Sequence, residues 1–91
     1  MLALSIKPYE IPFLEAIEKG RRPAYFDPCD RIGYTLKRLA DIGLLAIQYG
    51  KNAFDVKIEL TGLGRDTLEM KRSDNYDVVK DGRTTWFNFY Y

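Results

Sequence analysis

Between positions 54 and 61 the chain alternates without a break: Phe54, Val56, Ile58 and Leu60 against Asp55, Lys57, Glu59 and Thr61. A period of two predicts a strand with one buried and one wet face, the habit of an antiparallel hairpin. Its partner is the apolar run 44–49, joined through the turn-forming residues Gly50, Lys51, Asn52 and Ala53. After the return strand, Thr61 is placed to cap a helix from Gly62 to about Arg72, with Leu63, Leu68 and Met70 available to the core. Gly62 and Gly64 count against that helix, because glycine is a weak helix former.

Two more helices precede the hairpin. Residues 11–20 carry Phe13, Leu14 and Ile17 at helical spacing, Pro12 in the first turn and Gly20 as a stop. Residues 27–42 are better marked. Asp27 is the expected N-cap, Pro28 suits the first helical position, and Asp30 complements the positive end of the dipole. Ile32, Leu36 and Leu39, with Leu44 beyond Gly43, form the apolar stripe; Arg31, Tyr34, Lys37, Arg38 and Asp41 lie opposite. An α+β domain follows.

At 91 residues the chain suffices for one domain: a core over about 8–72 and a C-terminal hairpin over about 76–91. The apolar start, residues 1–6, is short, is broken by Lys7 and has no basic leader. Neither a signal peptide nor a membrane span is expected, and a cytoplasmic protein is the default. Histidine is absent and Cys29 stands alone. No disulfide within the chain, thiolate cluster or histidine base is then available, so neither a metal, a cofactor nor an enzyme is expected. In the first turn of a helix Cys29 has no histidine to activate it. A net charge of +1 is uninformative about nucleic acid, where clustering on one face decides.

Residues 34–45 followed by 56–68 resemble the winged helix-turn-helix of MarR-like and PadR-like transcriptional regulators. The resemblance rests on Leu39 to Leu44, a Leu-x-x-x-Gly-Leu segment, and on Leu60 to Gly64, a Leu-Thr-x-x-Gly segment. It covers roughly residues 27–70. It implies a small DNA-binding regulator of bacterial, archaeal or viral origin, with helix 27–42 in the major groove and the hairpin as a wing on phosphate or minor groove. On that reading Arg31, Tyr34 and Thr35 face bases, while Arg21, Arg22, Lys37, Arg38 and Lys51 face the backbone. The bland alternative is a solvated helix face with ordinary ion pairs. Where the family has a bracing helix, this chain has only residues 21–26. Asp41, Asp55 and Glu59 would repel phosphate if they faced it.

Gly62, Gly64 and the strand before them evoke a dinucleotide loop, but Thr67 stands at the third glycine and too little chain remains for a βαβ unit. The tail is the other prominent feature. Asp81-Gly82 marks a hairpin turn, and Trp86, Phe87, Phe89, Tyr90 and Tyr91 follow almost contiguously. Alternation must place some of them on each face of a strand. Two readings stand together: an interface for a protein partner or a homodimer, or an extra strand laid beside residues 2–6 to close the core.

Overall fold

The computed structural model describes residues 3–21, 27, 29–52 and 54–91. Among them the chain forms a small α+β domain of three α-helices and two antiparallel sheets. Strand β1 (Ala3–Ile6) leads through a 3₁₀ turn, Pro8–Glu10, into α1 (Ile11–Glu18). Helix α2 (Arg31–Asp41), the hairpin β2 (Leu45–Tyr49) and β3 (Val56–Leu60), α3 (Gly62–Arg72) and the hairpin β4 (Asp77–Asp81) and β5 (Thr84–Tyr90) follow. The expected order of helix, helix, hairpin, helix is present. No helix among the described residues is long and apolar enough to cross a membrane.

All three helices end alike, in a Schellman arrangement. The amides of Gly20, Gly43 and Asp74 reach back to Ile17, Ala40 and Lys71, and those of Arg21, Leu44 and Asn75 to Ala16, Leu39 and Met70. The reversal requires a positive φ, supplied by Gly20 at 81° and Gly43 at 92° and, less usually, by Asp74 at 54°. Gly43 thus ends α2, and Leu44, fully buried, enters the core.

Three local expectations need correction. Helix α2 starts at Arg31, not at 27: Asp30 is extended and its Oδ1 accepts from the Gly33 amide at 2.7 Å. Asp27 instead takes the Cys29 amide at 2.9 Å in a tight turn ahead of the helix, and Cys29 is exposed. Pro28 lies outside the described residues. Ile32, in the first turn of α2, is 51% exposed, so Gly33, Thr35, Leu36 and Leu39 make the buried side. Phe54 is 77% exposed, because its amide donates to Asn52 Oδ1 in the hairpin turn and the strand begins only at Val56. Ala53 of that turn lies outside the described residues.

Thr61 caps α3 as expected. Its hydroxyl accepts from the Gly64 amide at 3.0 Å and donates to the Gly43 carbonyl at 2.6 Å, tying the start of α3 to the end of α2. Gly64 is required there: a Cβ would stand 2.3 Å from the Leu44 carbonyl oxygen. The glycine that weakens the helix on propensity permits its contact with the first hairpin. Leu68 is buried, with Leu63 and Met70 packed against the core.

The tail closes the fold. Strand β5 lies between β1 and β4, pairing Leu4 with Phe89 and Ile6 with Phe87 on one side and Val79 with Trp86 on the other. The reading of the tail as a strand beside the N-terminus therefore holds for the described part, Ala3–Ile6; Leu2 lies outside it. The turn is shifted by one residue from Asp81-Gly82. Asp81 pairs with Thr84, which makes Gly82 (φ 63°) and Arg83 the two-residue loop, with glycine first as a type II′ turn demands.

Candidate nucleic-acid interface

The residues of α2 expected to face DNA divide into those left in water and those held by the fold. Arg31 and Tyr34 are exposed, Tyr34 by 64%. Lys37 continues that ridge at i+3 and is exposed too. Its ammonium meets Asp41 Oδ2 at 3.1 Å, and this hydrogen bond holds the lysine above its ordinary pKa. A shallow depression lies among Tyr34, Lys37, Arg38 and Asp41.

Thr35 and Arg38 are committed to the fold. Thr35 is 4% exposed and its hydroxyl donates to the Arg31 carbonyl at 3.0 Å, so it offers no group to a base edge. Arg38 reaches across to Glu10, donating to its Oε2 at 2.7 Å, and to the Ser5 carbonyl at 3.3 Å. Its guanidinium stands 5.7 Å from the centroid of the Trp86 ring, and the Lys7 ammonium 5.3 Å from the same ring. Arg38 is a clasp between α2, the 3₁₀ turn and β1.

Sequence reasoning missed Glu10. Its carboxylate is fully buried, yet Oε1 accepts the Lys7 amide at 2.7 Å and Oε2 accepts from Arg38. The signal was present: Glu10 stands three residues after Lys7, the residue before the proline that opens the turn, which is the spacing of a capping carboxylate. Nothing local identified the partner, 28 residues away.

The more remote cations are scattered. Arg21 is exposed just beyond α1, and Arg22 lies outside the described residues. Lys51 is exposed at the tip of the first hairpin, where its amide donates to Asp55 Oδ2 at 3.3 Å. On the outer face of β3, Lys57 and Glu59 pair with each other at 3.0 Å.

The aromatic tail splits as alternation requires. Phe89 is fully buried, Tyr76 stacks on it at 5.4 Å and meets Phe87 at 4.8 Å, and Tyr91 reaches α3 through a hydrogen bond between its hydroxyl and that of Thr67. Burial raises the Tyr91 pKa above its ordinary value. Trp86 and Tyr90 occupy the opposite face, where Tyr90 is 46% exposed. Phe87, Phe89 and Tyr91 are thus committed inward. No cluster of histidine, cysteine or carboxylate side chains among the described residues could hold a metal ion. No protein-family model, curated protein or solved structure matches the chain.

Proposed function

We propose that this domain is a small winged-helix regulator that binds duplex DNA through the outer face of α2. The observation that carries the reading is the exposed ridge of Arg31, Tyr34 and Lys37 on a helix fixed at both ends, by Asp30 at its start and the Gly43 reversal at its end. An arginine on such a rod can fork onto guanine O6 and N7, while tyrosine and lysine reach phosphate. Nearby carboxylates have other partners: Asp30 holds the Gly33 amide, Asp41 the Lys37 ammonium and Asp55 the Lys51 amide. Arg21 and Lys51 add phosphate contacts, whereas Thr35 and Arg38 serve the fold and leave the contact set.

Fluorescence titration of random duplex DNA at two salt concentrations tests this. Affinity is expected to fall steeply with salt, and Arg31→Ala combined with Lys37→Ala is expected to weaken binding and to reduce the slope of log K on log salt by about 1, the share of the phosphate-directed lysine. Binding that ignores salt, or a double variant that binds as the wild type does, overturns the reading. A protein partner is the second reading. It is favoured by Tyr90 and Val79, 46% and 40% exposed on the outer sheet face, and it stands if the titration shows no binding.

A further inference from the structure

The two outer edges of the three-stranded sheet differ. Along β1, the carbonyl of Ser5 accepts from the Arg38 guanidinium of α2 at 3.3 Å. Along β4, all five residues are exposed, and among the described residues only β5 pairs with the strand. Val78 and Val79 are 56% and 40% exposed on this uncovered ribbon. An open edge with apolar side chains on both faces is a template for another strand.

We propose that the β4 edge pairs antiparallel with the β4 edge of a second copy of this chain, joining two three-stranded sheets into one of six. The hydrogen-bond phase follows from the turn. Asp81 and Thr84 flank a two-residue loop and form its closing hydrogen-bonded pair. Asp77, Val79 and Asp81 therefore aim their amides and carbonyls at β5, and Val78 and Lys80 aim theirs at the open edge.

Charge then selects the register. Directly opposed residues share a face, so two-fold pairing joins positions of the same parity. Three such registers overlap three or more residues of β4. Centred on Val79, the pairing sets Asp77 against Asp81 twice; centred on Lys80, it sets lysine against lysine. Centred on Val78, it sets Val78 against Val78 and Asp77 against Val79, with no like charges opposed. Beyond the strand end this register brings Lys80 opposite Tyr76 rather than opposite another lysine. The self-complementary register is the reason for naming a second copy as the occupant rather than a foreign strand.

Sedimentation equilibrium of the full chain up to millimolar concentration tests the pairing without DNA, so its outcome is separate from that of the titration above. The wild type is expected to dimerise reversibly. Val78→Asp and Val78→Lys, at an exposed position, are expected to retain the wild-type circular dichroism and each to remain monomeric. An equal mixture of the two is expected to regain the dimer, because aspartate then faces lysine at the two-fold. A wild type that stays monomeric, single variants that dimerise undiminished, or a mixture that stays monomeric overturns the proposal.

Discussion

Lys37 and Arg38 are neighbours in sequence with the same charge and line the same depression on α2, yet they have different partners. Lys37 pairs with Asp41 on its own helix, with both side chains largely in water. Arg38 pairs with a carboxylate that has no exposure at all and joins two elements distant in the chain. The contrast teaches that a cation on a helix is assigned to ligand or fold by its partner's solvation, not by its own charge. An exposed pair is screened and weak, and its lysine remains available to a competing anion. A buried carboxylate cannot release its arginine without being left uncompensated in a dry site.

The largest expected effect breaks this comparison directly. Arg38→Ala should cost about 3–5 kcal/mol of unfolding free energy, a large share of a small domain's stability. Lys37→Ala should cost no more than about 1 kcal/mol. Urea denaturation of the two variants measures both. Equal costs would mean that the two ion pairs do not differ as described. Glu10→Gln combined with Arg38→Met sharpens the point, since the amide oxygen can still accept the Lys7 amide and no lone charge remains. The double variant should recover part of the loss, the rest being the buried glutamine NH₂ left without an acceptor.

Much of this architecture was legible, and the misses fall where one of several possible partners had to be chosen. The period-two run from Val56, the Gly43 reversal and the Thr61 cap are local, so the helix–hairpin–helix order could be read directly. The cap of α2 was misassigned because Asp27 and Asp30 are equally good acceptors, and the choice rests on which turn the chain makes before the helix. Phe54 continued the alternation in sequence, but Asn52 captured its amide and ended the hairpin turn later than the pattern suggested. The division of the cations was the least legible. Arg38 and Lys37 are interchangeable until Glu10 is brought beside one of them, and that contact spans 28 residues. The aromatic tail was half legible: alternation required a split, but the strand pairing that orders it comes from the far end of the chain.

Helix α3 repeats the inside–outside contrast with a smaller expected effect. Gly62 and Gly64 both stand in its first turn, but a Cβ at Gly62 meets nothing within 4 Å, while one at Gly64 meets the Leu44 carbonyl at 2.3 Å and Leu60 Cδ1 at 2.7 Å. Gly64→Ala should therefore force α3 away from the first hairpin and cost about 1–3 kcal/mol. Gly62→Ala should stabilise by about 0.5 kcal/mol through helix propensity and a less flexible unfolded chain. Thermal melts that shift in the same direction for both would reject the close approach as the reason for Gly64.

The smallest expected effect concerns the exposed ion pair between α1 and α3, where Arg72 donates to both Glu18 oxygens at 2.6 and 3.2 Å. That hydrogen bond holds the Glu18 carboxyl below its ordinary pKa, against a smaller opposing effect of burial. The unfolded chain then takes up the proton first as pH falls. The pair's contribution is present above the ordinary glutamate value of about 4.3 and disappears as pH drops through the lower folded value. Arg72→Ala should accordingly melt slightly below the wild type at neutral pH, and the gap should close in acid and narrow in high salt. The Arg38→Ala deficit should resist salt far more, because its carboxylate lies where counterions do not reach. If salt erased both deficits equally, Glu10 would have to be solvated after all, and the distinction between a clasp that belongs to the fold and a ridge open to a ligand would fail with it.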